Sequence, residues 1–260
     1  MKTKGKRAAQ RLCDSLTKAV SSKIKEKMEQ DPAPSKYIWA IDYGHGGMIN
    51  GVYQTSVKYW KRAFFKNGIL LNPADYNYDS DKMLAESDLH YFEGEGNRDI
   101  ARRIFKLCDA NGIQYFDVVN SEKDISLGQR VINANNFYLK NKNTLYLSIH
   151  SNAFGKQSAN GWAVYTSPGA TLSDKIATIF FNQVQQDFPN TYMRKDTSDG
   201  DVDWEDYFTV LTNTYMPAIL TESFFYTNYE EAKFLASEEG RQKIAESHFK
   251  AMITIEKNGI

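Results

Sequence analysis

Tyr37-Ile38-Trp39-Ala40-Ile41-Asp42-Tyr43-Gly44-His45-Gly46-Gly47 runs an apolar segment straight into a glycine-rich turn with a histidine at its tip. Glycines on both sides permit a sharp turn and leave the imidazole uncrowded. One histidine in such a turn is more often a polar surface group than a ligand, so its weight comes from its company. His150 closes a second apolar run, Leu145-Tyr146-Leu147-Ser148-Ile149, and Glu222 closes a third, Pro217-Ala218-Ile219-Leu220-Thr221. Glu93 stands just ahead of a helical stretch that begins at Asn97, where a carboxylate also benefits from the helix N-terminus. Two histidines with carboxylates at element ends are the ligand chemistry of a catalytic zinc site.

Outward from these runs, strand and helix patterns alternate. Ile113 to Val119 and Trp162 to Thr166 read as further strands. Helical spacing covers Asn97–Asn111, closed by Gly112, and Leu172–Phe188. A third helix is capped by Ser126 and runs to about Lys140, with Leu127, Val131, Ala134 and Tyr138 on one face. A fourth covers Tyr229–Ile255 with a break near Gly240. Residues 48–92 show no periodicity. The alternation predicts an α/β fold: a single open, largely parallel twisted sheet with helices on both faces, plus an N-terminal helical extension. In such sheets ligands bind beyond the carboxyl ends of the strands, where His45, His150 and Glu222 all fall.

Residues 1–29 carry nine Lys and Arg against three Asp and Glu, and Leu12, Leu16, Val20, Ile24 and Met28 recur at intervals of four. This reads as a basic amphipathic helix, expected to pack its stripe on the main domain or a partner. Contact with a membrane or an anionic polymer is the alternative, weakened by the lack of Trp or Phe in the stripe. Asp31-Pro32-Ala33-Pro34-Ser35 then breaks the helix, giving an extension over 1–35 and a catalytic domain over 36–260. A formal net charge of zero offers no case for nucleic acid, and Cys13 and Cys108 are too few and too far apart for a disulfide framework. No apolar run approaches the ~20 residues that span a bilayer.

Five blocks, in order, identify a family. They are Ile41-Asp42-Tyr43-Gly44-His45-Gly46-Gly47; Glu93-Gly94-Glu95-Gly96-Asn97-Arg98-Asp99-Ile100-Ala101; Ser126-Leu127-Gly128-Gln129-Arg130-Val131 with Ala134-Asn135; Ser148-Ile149-His150-Ser151-Asn152-Ala153; and Pro217-Ala218-Ile219-Leu220-Thr221-Glu222 with Asn228. Over roughly residues 37–256 the chain resembles the zinc-dependent N-acetylmuramoyl-L-alanine amidases of the amidase-3 family. The resemblance implies that His45, Glu93 and His150 hold one Zn2+ and that Glu222 is the catalytic carboxylate. Glu93 is preferred to Glu95 because it stands four residues before Asn97, where the family has its ligand. It further implies cleavage of peptidoglycan between N-acetylmuramic acid and the L-alanine of the stem peptide. Tyr43 departs from the family's usual proline, and Met48-Ile49-Asn50 from its acidic-proline turn.

Met1 to Arg11 is basic but no apolar h-region follows, so no signal peptide is expected. A protein made in the cytoplasm and delivered to the cell wall as a phage endolysin or virion-associated lysin fits that reading. Two alternatives compete with the amidase. His90-x-x-Glu93 has the ligand spacing of a zinc carboxypeptidase, which His150 could complete; and a wall-binding module could keep the fold without catalysis. Asp42 is a candidate to orient a ligand, Ser151, Asn152 and Trp162 are candidates to line a groove, and His248 reads as surface or packing. The acidic stretch Asp196–Asp206 lacks the ligand spacing of a calcium loop and reads as solvated.

Overall fold

The structure, a computed structural model, describes residues 35–55, 61–71 and 88–260. The expected basic helix over 1–29 and nearly all of its linker lie outside the described residues. Strand β1 (Ile38–Tyr43) is followed by a small hairpin of β2 (Met48–Ile49) and β3 (Val52–Tyr53), then by a three-stranded antiparallel sheet. In that sheet β4 (Arg62–Lys66) lies between β5 (Ile69–Leu70) and β6 (Leu89–Phe92). Helix α1 (Glu93–Asn111), strand β7 (Gln114–Asp117), helix α2 (Leu127–Lys140) and strand β8 (Thr144–Asn152) come next. Strand β9 (Trp162–Thr166), helix α3 (Leu172–Asp187), the short β10 (Trp204–Glu205) and α4 (Thr209–Thr212), and strand β11 (Ala218–Phe225) lead to two closing helices, α5 (Tyr229–Ala236) and α6 (Glu238–Asn258).

The central sheet has the order β10-β9-β11-β8-β1-β7. β7, β1, β8 and β11 run parallel, and β9 pairs antiparallel with β11. The fold is thus α/β with a mixed, mostly parallel sheet. Side chains alternate between its faces, as the period of two requires. Trp39, Ile41, Leu145, Leu147, Ile149 and Ile219 join a core that also takes in α1, α3, α5 and α6. Ala40, Tyr146, Ala218 and Leu220 belong to a second core with Ala134 of α2 and Val210 and Leu211 of α4. Both faces are therefore covered, which is why these strands read as unbroken apolar runs.

Several expectations need correction. Helix α1 begins at Glu93, four residues ahead of Asn97. The C-terminal break lies at Ser237, whose hydroxyl accepts from the Gly240 N–H (2.9 Å) and caps α6. Helix α2 starts where Ser126 predicts, its Oγ accepting from Gln129 N–H (3.2 Å), but Leu127 is 53 % exposed. Val131, Ala134 and Tyr138 do pack on the second core, and α2 also buries Arg130 and Asn135, Arg130 through its pair with Asp42 of β1.

His248 proves to be a packing residue, 1 % exposed between Trp162 and Phe180. Its Nδ1 faces the Ile244 carbonyl (2.9 Å), which can only accept, so Nδ1 carries the proton and Nε2 accepts from Thr221 Oγ1 (3.0 Å). Burial lowers its pKa from 6.5 to about 4, with the Ile244 bond acting the other way. A folded-state value below the unfolded one stabilises the fold above pH 6.5, and that stability is lost as pH falls through about 4. The effect is worth about 3 kcal/mol. We expect the gap in unfolding free energy between the native protein and His248→Gln to shrink by about that much from pH 7 to pH 4 in urea titrations; a gap independent of pH would contradict it.

Candidate metal centre

Where β1 ends, the chain turns across the end of β8, and Gly44 N–H donates to the Ile149 carbonyl (3.0 Å). The His150 ring approaches so closely that a Cβ on Gly44 would sit 2.0 Å from its Cε1, so only glycine fits. His45 itself adopts the left-handed conformation, φ +69°, a cost of ~1–2 kcal/mol for a residue with a Cβ. Arg98 holds it by donating to the His45 carbonyl, while Gly46 N–H donates to Thr55 Oγ1 (3.0 Å) and Gly47 N–H to the Glu122 carbonyl (2.8 Å). The backbone strain thus falls on the histidine rather than on its glycine neighbours. Helix α1 is pressed against the same turn: a Cβ on Gly94 would lie 2.0 Å from the Gly46 carbonyl oxygen.

That close approach brings Glu93, fully buried, to the two histidines. Its Oε1 lies 3.1 Å from His150 Nδ1 and accepts from Ser151 N–H and Asn97 Nδ2, both at 3.4 Å. Its Oε2 lies 3.4 Å from His45 Nε2 and 3.5 Å from Lys61 Nζ. Burial alone would raise the carboxyl pKa, but His45 and Lys61 outweigh it and hold Glu93 well below its ordinary 4.5. The two imidazoles stand nearly perpendicular, centroids 5.2 Å apart. One ligand atom from each of His45, Glu93 and His150 lies within 4.8 Å of the others. His45 Nε2 and Glu93 Oε2 are buried without a hydrogen-bond partner among the described residues. One nitrogen from each imidazole and a Glu93 carboxylate oxygen are the donor types that a zinc ion takes.

Glu222 of β11 is paired with His150 of β8 in the sheet register. It is half-buried, and its Oε2 likewise has no hydrogen-bond partner among the described residues. Burial and then the Glu93 charge push its pKa up to about 8, with Lys61 and His45 pulling the other way. Four predicted residues thus converge on one edge of the sheet from β1, α1, β8 and β11.

Other expectations fare differently. Glu95 points away from the histidines and accepts from Met48 N–H, fastening the turn beyond His45. Asp42 orients neither histidine by a hydrogen bond; it is buried against Arg130 and accepts from Ser148 Oγ (2.7 Å), tying β1 to α2 and β8. Ser151 and Trp162, each 1 % exposed, line no groove. Ser151 belongs to a buried relay behind Glu93, with Asn97 Oδ1 at 3.3 Å and Tyr91 OH at 3.1 Å. His90 packs edge-on against Phe64 and does not join the group around Glu93. Lys61 escaped the sequence reading altogether, since residues 48–92 carry no periodic signal. Asn97 had one: four residues after Glu93, it shares a helix face with it.

No helix among the described residues is long and apolar enough to cross a membrane. A family model described as N-acetylmuramoyl-L-alanine amidase (Amidase_3) matches residues 40–254. The N-acetylmuramoyl-L-alanine amidase LytC of Bacillus subtilis (strain 168) is 27% identical over 233 residues, covering 89% of this chain but 37% of LytC. The chain thus spans little more than a third of that relative's length. The N-acetylmuramoyl-L-alanine amidase structure from Clostridium difficile 630 superposes with a TM-score of 0.61 at 24% identity, covering 85% of this chain and 97% of that one. AmiC2 of Nostoc punctiforme gives 0.60 at 21%, covering 87% and 100%. At such identities the two structures show a shared fold, while the family model spans most of the sequence. The chain belongs to the amidase-3 family of N-acetylmuramoyl-L-alanine amidases.

Proposed function

We propose that this domain hydrolyses the amide joining the lactyl group of N-acetylmuramic acid to the L-alanine of the stem peptide in peptidoglycan. One zinc ion held by His45, Glu93 and His150, with Glu222 as proton carrier, would serve the reaction. The observation that carries the reading is the meeting of three ligand atoms within 4.8 Å beside a second carboxylate, in a chain of this family. A zinc ion in this donor set supplies a Lewis acid for the scissile carbonyl and lowers the pKa of water toward ~7.

The chain's own groups do the rest. Glu222, ionised, takes a proton from water as the water oxygen bonds to the carbonyl carbon. It returns that proton to the alanine nitrogen as the carbon–nitrogen bond breaks, so the amine leaves neutral. Burial and the Glu93 charge raise the carboxyl pKa while Lys61 and His45 oppose them, and a metal cation beside it would favour the ionised form that serves as base. The relay of Asn97, Ser151 and Tyr91 fixes the Glu93 carboxylate from behind.

Digestion of purified peptidoglycan followed by mass spectrometry tests the reading. Native protein should release stem peptides with new L-alanine N-termini, and chelation should abolish the release until zinc is restored. Fragments cut within the stem peptide would make the enzyme a peptidase; zinc bound without cleavage would make it a binding module. Glu222→Gln should lower kcat by ~10²–10⁴ while retaining one zinc ion per chain. Zinc content separates the ligand sets directly: His45→Ala should lose the metal and His90→Ala should keep it, and the reverse would overturn the assignment.

A further inference from the structure

The acidic stretch after Lys195 is not wholly solvated. Asp203 is 1 % exposed, and its Oδ2 accepts from the hydroxyl of Thr166 at the end of β9. Its other oxygen, Oδ1, is buried with no hydrogen-bond partner among the described residues, and so is Oδ1 of Asp201. A third carboxylate arrives from a distant part of the chain: Asp174, in the first turn of α3, where it also closes a capping box with Thr171. One carboxylate oxygen from each of Asp174, Asp201 and Asp203 lies within 4.8 Å of the others. No Lys, Arg or His is ion-paired with any of the three among the described residues.

Three carboxylates converging without a counter-charge repel one another, and burial leaves little water to screen them. Burial, a hydrogen bond with Asp201 and the neighbouring Asp201 and Asp174 charges raise the Asp203 pKa to about 7, the Thr166 bond opposing them. Two things relieve such a cluster: a proton or a cation. A shared proton serves only the Asp201–Asp203 pair, whereas a dication also reaches Asp174, which already accepts from Thr171 N–H (2.6 Å) and Thr171 Oγ1 (3.2 Å). The donors are all hard oxygen atoms, which exclude the soft, nitrogen- and sulfur-preferring metals. Calcium takes such oxygen ligands in a flexible geometry with waters completing its shell, whereas magnesium demands a near-ideal octahedron. Half-exposed Asp174 and Asp201 leave one side open for the waters that complete a calcium shell.

We propose that Asp174, Asp201 and Asp203 form a calcium site that fastens the segment before β10 to the start of α3 and the end of β9. Its donors are distinct from the zinc set, and it does not depend on the amidase reading. The sequence carries no single-stretch signal for it, because Asp174 lies far upstream of Asp201 and Asp203.

The test uses the full-length, zinc-loaded protein in buffer freed of calcium on a chelating resin. Calcium chloride at about 5 mM, roughly five- to fiftyfold above the ~0.1–1 mM Kd of weak calcium modules, should raise the Tm by about 2–9 °C. Sodium chloride of equal ionic strength should not. Asp174→Asn, at a half-exposed position, and Asp203→Asn should each abolish the shift. Terbium offers a direct reading on the native protein: excitation of the adjacent Trp204 should sensitise its luminescence, and calcium should quench it by competition. An unchanged Tm with no sensitised terbium signal would overturn the proposal. So would a terbium signal undiminished in Asp174→Asn, or a Tm that rises as pH falls from 8 to 6 yet ignores calcium, which would mark a shared proton.

Discussion

Glu93 buries an ionised carboxyl completely, and removing such a charge from water costs several kcal/mol unless cations and donors replace the water. Much of the surrounding architecture supplies those replacements. Ser151 and Asn97 donate to one oxygen, and His45, His150 and Lys61 gather positive or polarisable groups around the pair. Bringing α1 close enough for this requires glycine at 94, against the Gly46 carbonyl, and glycine at 44, beneath the His150 ring. His45 stands in the left-handed conformation between these two close approaches. A buried anion with an unbonded oxygen facing an unbonded imidazole nitrogen makes a cation the natural occupant.

The parallel run of β1, β8 and β11 was readable because strands buried on both faces appear as continuous apolar segments, and each ends in a titratable group. That placed His45, His150 and Glu222 at one sheet edge before any geometry was known. Their roles, and the choice of Glu93 over Glu95, came through the family resemblance and not through spacing. The start of α1 was hidden because Gly94 and Gly96 depress helix propensity, and only tertiary packing repays them. On α2 only Leu127 leaves the expected face: Val131, Ala134 and Tyr138 pack on the core, while the buried Arg130–Asp42 pair beside them carries no apolar signal. Lys61 belongs to a segment ordered by strand pairing between β4 and β6, long-range contacts that leave no local pattern.

The two carboxylate clusters of this molecule differ in a way that follows from their donors. Around Glu93 the company is imidazole nitrogen, suited to a borderline metal that activates water and carbonyl. Around Asp203 it is oxygen throughout, suited to a hard ion that only holds chain segments together. In each, the buried carboxylate is joined by partners from well-separated parts of the chain, so each cluster also ties elements of the fold to one another.

The most direct test of the zinc assignment is an anomalous difference map, recorded at the zinc absorption edge from crystals of zinc-loaded protein. One strong peak is expected in contact with His45, Glu93 and His150 together, and beside Glu222. A peak held through His90, or no peak at this edge of the sheet in crystals that contain zinc, would contradict it.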